Sequence, residues 1–430
     1  MTNDTKHTTA AYEDQAIKEE ASVAKKLFPK GAKPLFARGG DGSSMSKSLM
    51  IGLIIVALLI LPVVLQGLGQ KLLISSLVLV GLYIILALGL NIVVGYAGLL
   101  DFGRIAFYAF GAYTAMIISM PLARFMTNTL GVGWDQLTFP VIVIAAGVIA
   151  ALVGWLLSLP VMRLRGDYLA IVTLGFGEIV RICIEGNIFG ITNGANGLPR
   201  VGETLPKPPL FEFLSKNVFF DFGKNFYFTF DRGVYWFYMV LLFILLAIIV
   251  VRRQDNSRLG RSWAALREDE VAATAMGVNT TRVKTWALVL GAVWGGVAGA
   301  CFAYYQGGAV PTSFIFFNSV MVLAIVVIGG MGSTPGVIVG GLIIQGFPEL
   351  IRWFATTFSI EGIDATTVQN YRNLLLGLLM VVMMVVRTEG LVPSKRLKRE
   401  LRGAGGPDGS TIVEGDVLIN ETPAGGGGIA

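Results

Sequence analysis

From Thr285 to Pro348 the chain runs 64 residues without an Asp, Glu, Lys or Arg. A soluble fold has no way to bury so long an uncharged stretch, whereas a hydrocarbon layer about 30 Å thick takes up roughly 20 helical residues per crossing. The run is therefore long enough for about three crossings. Inside lipid no water bonds the backbone, so each crossing must be a helix that satisfies its own N–H and C=O groups. Gly307-Gly308 and Gly332-Ser333-Thr334-Pro335 interrupt the run and divide it into spans near 286–304, 313–330 and 336–347.

The same reading finds spans at 48–70, at 72–100 with a glycine-rich break over Gly95–Gly98, at 105–122 and at 138–162. A fifth begins after Asp167 and is crossed by Glu178 and Arg181; a sixth covers 233–251 and a short tenth 373–386. The expected fold is an all-α polytopic membrane protein with about ten transmembrane helices. Residues 1–48 form a polar N-terminal tail, 49–387 the transmembrane domain and 388–430 a flexible glycine-rich C-terminal tail. Within the domain, 187–232 reads as a long external loop and 255–283 as a polar cytoplasmic segment. Glycine-rich sections in both halves suggest a pseudo-repeat of two five-helix halves with broken or re-entrant helices.

Lys and Arg number 34 against 28 Asp and Glu, a net charge of +6. On a soluble chain that excess points toward nucleic acid; on a membrane chain it sets orientation. Eight basic residues fall in the N-terminal tail, seven between Arg252 and Lys284 and six from Arg387 onward. This places both termini in the cytoplasm, with lipid and not nucleic acid as the surrounding partner. The single histidine, His7, lies in a tail, and the two cysteines, Cys183 and Cys301, lie far apart in apolar stretches. The pattern offers no catalytic constellation and no metal site, which disfavours an intramembrane enzyme. No Gly-x-x-x-x-Gly-Lys-Ser/Thr phosphate loop occurs, so the chain has no cofactor of its own and any ATPase is a separate polypeptide.

The cytoplasmic segment is patterned. Residues 262–276 read as one helix with an intermittent apolar stripe of Trp263, Leu266, Val271, Ala272, Ala275 and Met276 and a charged side bearing Arg267, Glu268, Asp269 and Glu270. Gly277 is a helix stop and Asn279 a cap for the next span. Such a helix either docks a soluble partner or rests on the lipid surface. Within the spans, Glu178 with Arg181 and Asp101 with Arg104 stand three apart, a spacing that lets opposite charges neutralise each other. They, together with Asn91, Asn318, Ser319, Gly95, Gly98, Gly329 and Gly330, are candidates for a translocation pathway. The alternative is that the pairs are structural and the glycines serve close helix packing.

Four strings carry a resemblance. Arg163-Leu-Arg-Gly-Asp-Tyr-Leu-Ala-Ile-Val-Thr-Leu-Gly-Phe-Gly-Glu-Ile-Val-Arg-Ile182 closely resembles the central motif of the LivM-type permeases, inner-membrane subunits of branched-chain amino acid ABC importers. Gly95-Tyr-Ala-Gly-Leu-Leu with Gly111-Ala-Tyr, Ala265-Leu-Arg-Glu-Asp-Glu270 with Met276-Gly277, and Val322-Leu-Ala-Ile-Val-Val-Ile-Gly-Gly-Met-Gly332 are similar to three further motifs of that family. The resemblance implies a multi-pass protein of the bacterial inner membrane that transports leucine, isoleucine and valine; urea, amides or other amino acids are the alternative cargo, and an ATP-independent channel or carrier the alternative mechanism. It implies three kinds of partner: a LivH-type permease, two cytoplasmic ATP-binding subunits that use ATP and Mg, and a periplasmic amino-acid-binding protein. Coupling to the ATPase then falls to Trp263, Leu266, Arg267, Glu268, Asp269, Glu270, Ala273, Met276 and Gly277.

Overall fold

The computed structural model describes residues 57–130, 135–162, 164, 166–188, 190–199 and 232–357, with 374, 377–378, 380–383 and 390–392. The chain divides into two compact units, Met1–Leu61 and Pro62–Ala430. The first is described only at 57–61, as helix. The fold that follows is that of the second.

Its long helices are α1 (Lys71–Asn91), α2 (Arg104–Leu130), α3 (Asp135–Val161), α4 (Asp167–Glu185), α5 (Arg232–Asp255) and α8 (Thr280–Gln306). Between α5 and α8 lie α6 (Arg258–Glu268) and α7 (Glu270–Ala275); after α8 come α9 (Phe316–Gly329), α10 (Thr334–Gly341) and α11 (Phe347–Thr357). Among the described residues five helices are long and apolar enough to cross a membrane: Lys71–Tyr96, Phe139–Val161, Gly233–Asp255, Thr280–Gln306 and Thr334–Ile351. Ala57–Gly67, Arg104–Ser119 and Phe316–Gly329 are shorter apolar helices. Most of the expected tenth span, 373–386, lies outside the described residues, as do 200–231, the N-terminal tail and all of the C-terminal tail except 390–392.

α8 and α1 form the centre: 72% and 83% of their apolar windows are buried, against 39–44% in the other three long spans. Without a hydrophobic force between helices in lipid, close packing needs small residues at the crossings. Gly111 of α2 lies against the backbone of Gly296 of α8, and Gly299 lies against the Tyr108 carbonyl, with no room at either for a side chain. A Cβ on Gly89 of α1 would stand 2.8 Å from Trp294 of α8. α3 packs on α8 by one face and turns Ile144, Val148, Leu152, Trp155 and Leu156 outward, an apolar stripe suited to lipid. At one end of the molecule Leu198–Pro199 (β1) pairs antiparallel with Gly308–Ala309 (β2), joining the segment after α4 to the one after α8.

Three expectations change. The helix expected over 262–276 is two helices, because Asp269 adopts an extended backbone (φ −154°, ψ 118°) and its carboxylate caps the N–H groups of Val271 at 2.7 Å and Ala272 at 3.1 Å. The span expected at 313–330 starts only at Phe316, after a 3-10 turn at Pro311–Phe314. The span expected to stop at Phe347 continues to Thr357 through a π turn at Leu342–Gly346. That turn widens the backbone at Ile344, the carbonyl position that the ring of Pro348 opposes in a regular helix. Beyond it Glu349 is accommodated as the acceptor of the Ser76 hydroxyl at 2.9 Å.

Candidate functional site

The polar element between α5 and α8 is held by side chains of its apolar stripe and of its charged side alike. Trp263 is fully buried and its indole N–H donates to the Val283 carbonyl at 2.9 Å. Leu266 and Ala273 are buried beside it. Glu270 accepts from the Lys284 ammonium at 2.5 Å, with Lys284 almost wholly buried. Arg267 reaches across to the end of α1, where its Nη1 donates to the Gly95 carbonyl at 2.8 Å. Thus α6 and α7 are tied to the first turns of α8 and to the backbone just past α1 at once.

The end of α1 is shaped to receive that arginine. Ile92–Tyr96 form a π turn, and Gly98 turns the chain at φ +70°, where a Cβ would stand 2.9 Å from Cγ of Arg267. Gly332, the link between α9 and α10, also has positive φ, at +76°. Its N–H donates to the buried Asn91 Oδ1 at 2.9 Å. Tyr96 and Thr334 share a hydroxyl bond at 3.3 Å. The glycine-rich breaks after α1 and after α9 therefore meet at Arg267, and three pathway candidates, Asn91, Gly95 and Gly98, belong to this junction.

Facing away from these ties, the second helix presents an apolar surface. Val271 is 65% and Met276 85% exposed, with Ala272 and Ala275 exposed between them. Glu268 and Asp269 are exposed as well, and Gly277 ends the element at φ +84°. Asn279 caps α8 through the Arg282 N–H at 3.0 Å, as its position predicts. The coupling candidates therefore split: Trp263, Leu266 and Ala273 anchor the element, Arg267 and Glu270 tie it to the membrane helices, and Met276 looks outward.

A second cluster lies deeper. Asp101 and Arg104 form an ion pair at 2.8 Å with both side chains wholly buried. Here the chain enters α2, and the other helices supply acceptors for its first N–H groups: Thr173 Oγ1 of α4 for Phe102 at 3.1 Å and Ser319 Oγ of α9 for Ile105 at 3.3 Å. Glu178 and Arg181 pair separately on α4, where Arg181 also bonds Glu185 at 2.5 Å, all three partly exposed. Asn318 donates to the Ser313 carbonyl at 2.9 Å and fixes the 3-10 turn before α9. Gly329 packs on Gly336, Gly330 lies against Gly390, and residues 391 and 392 donate to the carbonyls of Ile328 and Gly329 at the end of α9.

Lys284, Thr173, Gly291 and Glu185 were not among the candidates. Lys284 looks in the sequence like one more basic residue at a membrane boundary, yet its distance from the acidic Glu270 across one short loop was a usable signal. Thr173, and Gly291 of α8, which lies against the Arg104 guanidinium, carry no signal in the sequence, because their contacts depend on which helices cross.

The family model described as branched-chain amino acid transport system / permease component matches residues 72–384. The high-affinity branched-chain amino acid transport system permease protein LivM of Escherichia coli (strain K12) is 40% identical over 84% of this chain and 79% of its own length. The probable branched-chain amino acid transport permease protein LivM of Methanocaldococcus jannaschii is 25% identical over 73% of this chain and 91% of its own length. The high-affinity branched-chain amino acid transport system permease protein LivH of Escherichia coli (strain K12) is 27% identical over 61% of this chain and 79% of its own length. No solved structure matches the chain.

Proposed function

This chain belongs to the permease-component family of branched-chain amino acid transport systems, and from that premise we propose that it is a membrane-spanning subunit of an ATP-driven, binding-protein-dependent importer of leucine, isoleucine and valine. It works in the bacterial inner membrane with both termini in the cytoplasm. A LivH-type permease completes the pathway, two separate cytoplasmic subunits bind and hydrolyse ATP with Mg, and a periplasmic binding protein delivers the amino acid. The similarity of this chain to proteins named LivM and LivH alike supports a pathway built from two related permeases.

The observation that carries the coupling role is the two-sidedness of α6 and α7. An element bonded on its inner side through Trp263, Arg267 and Glu270 and apolar on its outer side at Val271 and Met276 is built to receive a push and pass it on. A displacement of α7 is transmitted through Lys284 and Val283 to α8, the central helix, and through Arg267 to the end of α1. Lipid could cover the same apolar surface, and the two coverings give different results on substitution. Val271→Asp and Met276→Asp, both at exposed positions, are expected to leave insertion intact and to lower ATP-driven leucine uptake by about ten-fold or more. Uptake at the wild-type rate from correctly inserted protein would exclude docking at this face.

A further inference from the structure

The outward apolar stripe of α5 ends in charge. Leu242, Leu246 and Ile249 are exposed, and with the exposed Arg253 they recur at helical spacing along one face. At 1.5 Å per residue Arg253 stands about 6 Å past Ile249, where an apolar layer gives way to head groups. Arg252 beside it is exposed as well. Asn256 and Ser257 then turn the chain into α6, which opens with Arg258 and carries Arg261 one turn later, both exposed. The corner is fixed by its own bonds. Ser257 caps α6 through the Gly260 N–H at 3.3 Å, the Asn256 side-chain amide donates to the Arg252 carbonyl at 3.0 Å, and Arg261 Nη1 reaches the Asn256 carbonyl at 3.5 Å.

These four guanidinium groups form no ion pair among the described residues, and neither does Asp255, the one acid between them. Arg104, Arg181 and Lys284 by contrast each hold a carboxylate. Arg252 and Arg253 lie in the last turn of α5, whose negative end suits them. Arg258 and Arg261 fall within the first four residues of α6, where the helix end is itself positive. Orientation in a membrane asks for basic residues on one side, not for two cations at a positive helix end beside two more. What the corner lacks is an anion. All four residues are arginines, whose planar fork matches two phosphate oxygens where lysine offers only a point charge.

We propose that the corner between α5 and α6 binds the phosphate of an anionic phospholipid, the head group held by Arg253, Arg258 and Arg261 and the acyl chains lying along Leu242, Leu246 and Ile249. Charge and apolar stripe are continuous on this face, as they are in such a lipid. A free phosphate would use the arginines and leave the stripe without purpose. The inference goes beyond the transport reading and requires only that the chain spans a membrane, whatever it carries. Its consequence is mechanical: the lipid pins the start of α6 while α7 moves.

The test uses the full-length chain purified with its partner subunits in neutral detergent and titrated with phosphatidylglycerol, bound lipid being counted by native mass spectrometry. Phosphatidylglycerol is expected to bind, and neither phosphatidylcholine nor inorganic phosphate to displace it. Arg253→Gln, Arg258→Gln and Arg261→Gln together are expected to weaken that binding about a hundred-fold. Arg282→Gln, which removes an exposed cation at the start of α8, is expected to leave it unchanged. A triple variant that binds phosphatidylglycerol as wild type does overturns the proposal. Displacement of the lipid by inorganic phosphate also overturns it, because the site would then be one for a soluble anion. If the triple variant does not assemble, a photoreactive benzophenone side chain in place of Asn256 decides. Capture of phosphatidylglycerol on illumination supports the proposal; illumination that captures no lipid overturns it, whether or not an ATP-binding subunit is captured instead.

Discussion

Asp101 with Arg104 and Glu178 with Arg181 have the same spacing in the sequence and opposite circumstances in the fold. The first pair is wholly buried where α2, α4, α8 and α9 converge. The second lies on α4 with the Arg181 side chain 24% and the Glu178 side chain 37% exposed, and Glu185 joins it as a third charge. The geometry differs as well. Glu178 and Arg181 are neighbours because one helical turn brings them together. Asp101 precedes its helix, and its carboxylate folds back on Gly103 and Arg104 at the helix entrance. Equal spacing therefore foretells pairing and says nothing about the medium in which the pair must survive.

Substitutions that remove one partner should separate the two. Asp101→Asn alone leaves Arg104 charged and sealed, a change expected to cost about 3–5 kcal/mol, read as a lowered unfolding midpoint of the purified permease. Glu270→Gln strands the nearly buried Lys284 beside a neutral partner at the edge of the fold. Its expected cost is about 1.5–3 kcal/mol, measured the same way and accompanied by reduced uptake. Gly98→Ala forces a side chain into left-handed backbone against Arg267, an expected loss of about 1–2 kcal/mol. Arg267→Ala in the same chain should return part of that loss, and strict additivity of the two changes would mean that the arginine does not press on Gly98. Glu178→Gln should cost least, under about 1 kcal/mol, because the pair is partly exposed and Glu185 still holds Arg181. Equal losses at Asp101 and Glu178 would erase the contrast.

Much of the layout was legible from the sequence. Charge-free runs and their glycine breaks locate α1, α3, α5 and α8 to within a few residues, since a segment that crosses lipid must satisfy its own backbone as a helix. What escaped was direction. Trp263 and Leu266 were on the right stripe, but whether a stripe faces a membrane helix or a partner depends on crossings that no local pattern encodes. The division at Asp269 was within reach: an aspartate followed by Glu270 is a helix start as much as a helix interior. Arg104 was recognisable as a candidate, whereas its two nitrogens without a partner among the described residues and its neighbour Gly291 emerge only when α2 and α8 are packed together. Gly329 and Gly330 were visible as a glycine pair, but their contacts with Gly336 and Gly390 depend on how α9 meets the segments around it.

The π turns at Ile92–Tyr96 and Leu342–Gly346 carry a consequence for how such a protein can move. Each winds one residue more than a regular α turn holds. If that residue is given back, everything downstream rotates by about 100° around the helix axis, since 3.6 residues complete a circle. The first π turn itself contains the Gly95 carbonyl, the acceptor of Arg267. A single quantum of winding thus determines whether the arginine has an oxygen to hold, which would make the junction click between settings and not slide.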